Sequence, residues 1–226
     1  NFADDNTYYG CCAAIGAAGI GVMGKVALTR CEKAVTVQYY IDGRIKIGEN
    51  ASLLIQTKYP YSGRICITVE KWESSLGDLR LRIPAWSAET CATQNGTPLT
   101  CDADYLTLSV NAGDVIELAL DCRLRQILPP LSDCPDASRL AAYALGPVLL
   151  AADARLGVDP AEKFDVSVSP EGFAAYKKEA TPFAEIRDAR LSVSVKTWEG
   201  ERRLVDYSSA GKTFTEESAL AVWLSK

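Results

Sequence analysis

Hydrophobic and polar residues alternate in short stretches over much of the chain, and this period of two indicates β-strands. Val35, Val37 and Tyr39 alternate with Thr, Gln and Tyr, and Asp42-Gly43 then gives a hairpin signal. Further stretches with this pattern cover residues 44–47, 52–57, 64–70, 78–83, 105–110 and 115–124. Because no helical pattern lies between them, the alternation predicts a sandwich or jelly roll rather than a parallel sheet.

A proline-containing connection separates this region from the rest of the chain. Residues 127–138 contain Pro129-Pro130 and Cys134-Pro135 and indicate a link between two β units. Strand patterns return at residues 139–152, where Gly146-Pro147 interrupts them, and at 189–196 and 219–224, whereas 153–185 are irregular. We therefore predict a first β-sandwich or jelly-roll domain over residues 34–135 and a second over 136–226.

Residues 10–30 are rich in alanine and glycine and predict a helix of small residues. Each glycine lowers helix propensity by about 1 kcal/mol relative to alanine, so we expect another element to pack very close against this helix. The segment Gly19-Ile20-Gly21-Val22-Met23-Gly24 also fits the dinucleotide-binding pattern G-x-G-x-x-G. That fingerprint should follow a strand and open a βαβ unit, whereas here alanines precede it and strands follow. Close helix packing is favoured, and a nucleotide site is the weaker alternative.

Composition and charge narrow the classes of partner. The 226 residues include 48% hydrophobic and 23% charged residues, as in folded globular proteins. The net charge of -5 argues against nucleic acid or an anionic membrane as a partner. No apolar stretch approaches the roughly 18 residues of a membrane span, and no secretory signal is recognisable. The chain begins with Asn1, so we expect a processed or cut end. A location in the bacterial cytoplasm is expected because the cysteines are expected to be reduced thiols.

The chain has no histidine and eight cysteines: Cys11, Cys12, Cys31, Cys66, Cys91, Cys101, Cys122 and Cys134. A chain of this length does not need disulfides to hold its core, and we expect reduced thiols. Cys66 and Cys122 lie in alternating patterns and are predicted to be small core residues. Cys91 and Cys101 flank the turn signal Asn95-Gly96 and could face each other across a hairpin.

Cys11 and Cys12 lie at the start of the predicted helix. N–H groups at a helix N-terminus favour a neighbouring thiolate, and paired thiolates are natural zinc ligands. Without histidine, a nucleophile or metal site must use thiols, carboxylates, lysines or tyrosines. Structural zinc needs four ligands and catalytic zinc three, so this pair is only part of a site. The alternative is that both cysteines are small apolar residues of the interior.

Three other groups of side chains favour structural interpretations. Arg80 and Arg82 share one face of a strand, where a solvated surface is commoner than a ligand groove. The tryptophans are more often packing residues than sugar platforms; they are Trp72, Trp86, Trp198 and Trp223. Two acidic pairs, Asp4 with Asp5 and Asp102 with Asp104, are interpreted as solvated loop residues, because catalytic carboxylates must face each other across a substrate.

An ordered set of motifs runs along the chain. The set begins with Gly10-Cys11-Cys12 and ends with Ala221-Val222-Trp223-Leu224. Between them come the segments 35–40 (VTVQYY), 59–63 (YPYSG), 81–86 (LRIPAW), 94–96 (QNG), 112–114 (AGD) and 144–147 (ALGP). Together these motifs resemble glycoside hydrolase family 127, the β-L-arabinofuranosidases and their relatives, over nearly all of the chain from about Tyr8 onward.

The resemblance implies that residues 1–33 are the last helix of an (α/α) barrel and that two β-sandwich domains follow. It implies that Cys11 is the nucleophile of retaining hydrolysis, and that Cys11 and Cys12 are zinc ligands. A glutamate, a third cysteine and the acid/base glutamate would lie upstream of residue 1. The implied substrates are β-L-arabinofuranosides or related plant-glycan sugars. We expect the chain to be inactive without the barrel, which is its implied partner, and a homodimer is compatible with this reading.

A second interpretation is a module that binds glycans or packs against a helical domain without cleaving a substrate. It fits the absence of an assignable acid/base pair. A glycan array would distinguish the two, because the module should retain its sugar when Cys11 and Cys12 are both replaced.

Overall fold

The computed structural model describes residues 10–31, 33–101, 103–130, 137–212 and 218–226, without the side chain of Cys12. One helix, α1 (Gly10–Val26), precedes the strands. Strands of the first half are β1 (Leu28–Cys31), β2 (Ala34–Val37), β3 (Gly43–Ile47), β4 (Ala51–Thr57), β5 (Arg64–Trp72), β6 (Asp78–Arg82), β7 (Cys91–Gln94), β8 (Thr97–Leu99), β9 (Tyr105–Leu108) and β10 (Val115–Ala119). Those of the second half are β11 (Leu124–Ile127), β12 (Leu140–Leu145), β13 (Val148–Asp153), β14 (Phe173–Ala174), β15 (Tyr176–Lys178), β16 (Ser192–Thr197), β17 (Gly200–Asp206), β18 (Leu220–Ala221) and β19 (Leu224–Ser225).

The first compact unit contains α1 and strands β1 to β10. Its strands form a four-stranded sheet in the order β1-β2-β6-β9 and a six-stranded sheet in the order β3-β4-β5-β10-β7-β8. Strands β2 and β6 are parallel, whereas all pairs of the six-stranded sheet are antiparallel. In this unit the chain alternates between two sheets, which parallel βαβ units do not do.

The two sheets of the first unit enclose its core. Leu53 and Ile55 of β4 and Ile67 of β5 are fully buried, while the residues between them are at least partly exposed. Val35 of the four-stranded sheet shares a cluster with Ala51 of the six-stranded sheet. Alternation therefore buries one face of the six-stranded sheet and leaves the other accessible, as expected for antiparallel sheets. Strand β2 of the four-stranded sheet is instead buried on both faces.

The second compact unit contains β11 to β19. Seven of these strands follow the order β14-β11-β12-β13-β17-β16-β15, with β18 on β13 and β19 on β12. Its largest cluster includes the buried rings of Tyr143 and Phe164 with Leu124 and Leu150. A smaller cluster contains Ala151, which alternates with Leu150 along β13, so both faces of this strand are covered.

The mainly β architecture, with one helix followed by sheets, is confirmed. The jelly-roll topology and the domain bounds 1–33, 34–135 and 136–226 stay predictions, and the division at 135/136 lies outside the described residues. The Asn95-Gly96 hairpin joins β7 to β8, and both turn residues have positive φ, 51° and 79°.

Three local predictions are wrong. The helix ends at Val26 rather than near residue 30, because Leu28–Cys31 pairs with β2. Asp42-Gly43 does not close a hairpin, since β2 and β3 belong to different sheets. Residues 115–124 are not one strand, because the chain leaves the first unit after Ala119 and joins the second at Leu120. In the last of these places the alternation continues unbroken from Ile116 to Leu124, so the sequence pattern alone does not show that the chain leaves the sheet after Ala119.

Candidate functional site

The N-terminus of α1 carries Cys11 and Cys12, the nucleophile and the zinc ligand that the family resemblance implies. Cys11 lies in the first turn, where backbone N–H groups have no partner within the helix, and its side chain is exposed. The first turn holds no acidic residue, and Lys25 lies in the last turn, so the charges of the helix favour an electron-rich group at its N-terminus. The sequence-predicted nucleophile is therefore accessible to a substrate.

The predicted zinc site is incomplete within the described part of the chain. The side chain of Cys12 lies outside the described residues, so its approach to Cys11 is not defined. Among the residues that are described, no group of three or more cysteines, aspartates or glutamates is arranged to hold a metal ion. A catalytic zinc ion needs three protein ligands, and these residues do not fit it on their own.

The surface of α1 is apolar and exposed along its length. Ile15 and Ile20 are 73% and 74% exposed, and Val22 and Met23 are about half exposed. A methyl group on Gly16, Gly19, Gly21 or Gly24 would meet no described atom within 4 Å apart from the backbone of the helix itself. The close-packing partner that the glycines predict is therefore not among the described residues.

The glycines of the G-x-G-x-x-G match lie inside the helix. Gly19, Gly21 and Gly24 all fall within Gly10–Val26 rather than in a turn between a strand and a helix. A dinucleotide fingerprint needs that turn to bring the backbone close to a pyrophosphate. The nucleotide-binding alternative is therefore wrong for this segment.

Arg80 takes part in a surface contact within the four-stranded sheet. Its guanidinium lies 4.5 Å from the ring centroid of Tyr105, while Leu79 and Leu81 on the opposite face are fully buried. Arg82, on the same face as Arg80, is exposed. This arrangement agrees with the solvated-face interpretation of both arginines.

The tryptophans and acidic residues occupy different environments. Trp72 donates to the carbonyl of Gly77 over 3.0 Å and packs against a core cluster. Trp86 is half-buried and Trp223 is partly exposed, whereas Trp198 is 91% exposed in the turn between β16 and β17. Asp4, Asp5 and Asp102 lie outside the described residues. Asp104 is exposed and accepts a backbone hydrogen bond from Ile83.

Cys66 and Cys122 depart from the predicted core positions. Ile65 and Ile67 point into the core of the first unit, so Cys66 between them lies on the outer face and is only half-buried. Cys122 is also half-buried; burial raises the pKa of its thiol, Asp121 raises it further, and Lys178 partly offsets this. Cys91 and Cys101 form no disulfide with each other.

No helix in the described ranges is long and apolar enough to cross a membrane.

Comparison with known proteins shows that this chain is similar to one family of glycoside hydrolases. Residues 34–122 match the family model described as β-L-arabinofuranosidase, GH127 middle domain. No curated protein matches the chain. Among solved structures, the GH127 β-L-arabinofuranosidase Ara127N-Se from Geobacillus stearothermophilus T6 is similar over 95% of this chain and 37% of its own, with 17% identity and a TM-score of 0.70.

Two further structures share the fold at similar identity. A GH127 β-arabinofuranosidase is similar over 86% of this chain and 35% of its own, with 18% identity and a TM-score of 0.62. A glycoside hydrolase covers 88% of this chain and 37% of its own, with 16% identity and a TM-score of 0.60. The chain thus spans little more than a third of these relatives, and the resemblance indicated by its motifs is confirmed.

Proposed function

Because the chain resembles glycoside hydrolase family 127, we propose that it is the C-terminal portion of a retaining glycoside hydrolase for β-L-arabinofuranosides or related plant-glycan sugars. The observation that supports this most directly is the family match over residues 34–122, which follows strand β1 and a helix that begins with Gly10-Cys11-Cys12. The helix presents an exposed thiol at its N-terminus. The acid/base residue and the remaining metal ligands belong to a helical barrel outside the described residues.

The proposed reaction is a double displacement in which Cys11 is the nucleophile. Its sulfur bonds to the anomeric carbon as the glycosidic C–O bond breaks, and a carboxylic acid protonates the departing oxygen. Water then attacks the anomeric carbon and gives a proton to the same carboxylate, the C–S bond breaks, and the thiolate is restored. A zinc ion on Cys11, Cys12 and further ligands would keep the thiol ionised at neutral pH.

The test is the Cys11→Ser variant of the complete natural protein. Replacing the nucleophile should lower kcat for an aryl β-L-arabinofuranoside by at least about 1,000-fold. The β-rich region should stay folded, because Cys11 is exposed in this chain and is not among its buried core residues. Cys31→Ser is the matched control, since Cys31 is another exposed thiol, in β1, and its loss should leave turnover unchanged. Wild-type turnover in Cys11→Ser would exclude this mechanism.

The second candidate is a module that binds glycans or packs against another domain without catalysis. It is favoured by the incomplete metal site among the residues that the structure describes. The mass of the natural gene product separates the candidates. A product several-fold larger than 24.4 kDa supports the hydrolase, and a product of that mass supports the module.

A further inference from the structure

A hollow lies on the outer face of the six-stranded sheet. It has a volume of about 410 Å³ and crosses four neighbouring strands, β4, β5, β10 and β7. This volume falls in the range of small-molecule sites, about 300–1,000 Å³. The hollow belongs wholly to the first unit, and none of its lining residues is part of the proposed catalytic centre.

The strand register brings the lining side chains together in two rows. In the first row, Glu117 of β10 lies between Cys66 of β5 and Thr93 of β7, and Gln56 of β4 lies beyond Cys66. In the second row, Ala119 lies between Arg64 and Cys91. Directly paired residues point to the same face of a sheet, so all seven side chains face outward.

The depth of the hollow follows from the sizes of these side chains. Cys66 of β5 and Ala119 of β10 are small, and each pairs directly with a long side chain on the neighbouring strand. Glu117 lies beside Cys66 and Arg64 beside Ala119, while Gln56 lies on the other side of Cys66. Short side chains form the floor and long polar side chains form the rim. The concavity is therefore built by residue choice on two central strands.

The rim contains both hydrogen-bond donors and hydrogen-bond acceptors, and its one positive and one negative side chain balance in charge. Glu117 only accepts, Arg64 only donates, and Gln56 and Thr93 do both. Thr93 Oγ1 lies 3.4 Å from Glu117 Oε2, which is in position to orient the carboxylate over the hollow. One positive and one negative group suit a neutral ligand with many hydroxyls better than an anion or a cation.

The same lining is unsuited to a protein partner. Protein interfaces depend on aromatic, methionine or arginine anchors in desolvated pockets. Among the described residues, no aromatic or methionine side chain lines this hollow. Its one arginine, Arg64, lies on β5 next to β10, which carries Glu117. Its accessible surface is made of thiol, methyl, amide, hydroxyl and charged groups, which match the hydroxyl and C–H faces of a sugar.

We propose that this surface, the Cys66–Ala119 groove, binds a short neutral saccharide at a site separate from the thiol of Cys11. Glu117, Arg64, Gln56 and Thr93 bond the hydroxyls, and the floor contacts a C–H face of the sugar. The choice of L-arabinofuranosyl sugars as probes rests on the proposed function, whereas the groove itself does not depend on it.

The test uses the two thiols of the groove as local reporters in the complete natural protein. Alkylation of Cys66 and Cys91 by iodoacetamide is followed by mass spectrometry with and without methyl β-L-arabinofuranoside or an arabinofuranosyl disaccharide. At about ten times Kd, occupancy should slow alkylation of both cysteines about tenfold. Cys31, exposed in β1, is the internal control and should react at an unchanged rate.

Two variants place the bound sugar in the groove. Ala119→Trp fills the floor at an exposed strand position and should abolish protection of Cys66 and Cys91. Val115→Trp is the matched control, on the same strand and face but outside the groove, and should retain protection. Glu117→Gln, which preserves volume, should weaken protection at least about tenfold, as expected for a charged hydrogen bond.

The outcomes separate this proposal from the proposed function. Protection that survives in Cys11→Ser and disappears in Ala119→Trp supports the groove whatever the turnover. If no probe slows alkylation of Cys66 or Cys91 at millimolar concentration, the groove is not a saccharide site. Protection that persists unchanged in Ala119→Trp also overturns the proposal, because the floor is then not where the sugar lies.

Discussion

Helix α1 and the six-stranded sheet differ in where they place their apolar side chains. The sheet buries Leu53, Ile55 and Ile67 on one face and presents polar groups on the other. The helix leaves Ile15 and Ile20 about three-quarters exposed. The sheet is therefore stabilised by residues of this chain, whereas the helix is an apolar element whose cover lies outside the described residues. Chemistry on the sheet can be argued from this structure alone, while chemistry on the helix requires groups beyond it.

The largest expected effect on stability is at Gly77, which precedes β6. Its φ is +70°, and a methyl group there would lie 2.1 Å from the carbonyl oxygen of Lys33, which accepts a hydrogen bond from Asp78. Gly77→Ala should lower the free energy of unfolding by about 4 kcal/mol, because strain at positive φ adds to a clash between backbones. Urea unfolding of the purified chain measures this.

Gly48→Ala is the control for conformational strain alone. Gly48 has φ +53° in the turn between β3 and β4, but a methyl group there meets nothing within 4 Å. Gly48→Ala should lower the free energy of unfolding by about 1 kcal/mol. Equal effects of the two variants would show that the contact with Lys33 relaxes and that the first unit is less rigid than the sheet geometry implies.

A smaller loss of stability is expected when Asp153, a fully buried carboxylate in the second unit, is replaced. Arg155 donates to it from Nε and Nη2 over 2.9 and 2.6 Å, and the amide of Gly211 donates over 2.9 Å. Burial would raise the pKa of Asp153, but these hydrogen bonds outweigh it, so the pKa lies below its usual range. Asp153→Asn should lower the free energy of unfolding by about 3 kcal/mol at neutral pH.

The contribution of Asp153 to the free energy of unfolding depends on pH with a definite sign. A folded-state pKa below the unfolded value means that this carboxylate stabilises the fold above the unfolded pKa, about 3.9. That stability is lost as the pH falls through the folded pKa, and the Asn variant should lack this part of the acid sensitivity. Asp121→Asn is the control, because Asp121 pairs with Arg123 in the same local geometry. The arginine side chain there is 42% exposed rather than 12%, so the loss should be about 1 kcal/mol or less.

The sequence predicts the strands well because burial on one face imposes alternation locally. Strands β4 and β5 and the Asn95-Gly96 turn follow from neighbouring residues alone. The period of two also contains the signal that Cys66 faces outward, since Ile65 and Ile67 face inward. The prediction of a core cysteine at position 66 is wrong because the period of two places this residue on the outer face, although cysteine is a residue type common in cores.

The groove could not be predicted in the same way. Gln56, Cys66, Thr93 and Glu117 meet only through the register of four strands that are distant in sequence. The order β4-β5-β10-β7 brings β10 between β5 and β7, and no local pattern specifies that choice. The thiol pair at the helix start was found from sequence because its residues are adjacent, but its metal ligands and acid/base residue cannot be placed from this chain.

The smallest expected change in stability concerns helix α1. Gly21 lies in the interior of α1, and a methyl group there meets no described atom. In this chain, Gly21→Ala should stabilise the helix by about 1 kcal/mol, because alanine has the higher helix propensity. Hydrogen exchange of the amides of residues 10–26 measures the change. In the complete protein, a barrel helix packed against Gly21 should reverse the sign, because the added methyl group would then meet a neighbour. If the variant stabilises both forms equally, Gly21 is uncovered in both, and α1 does not pack there as a barrel helix.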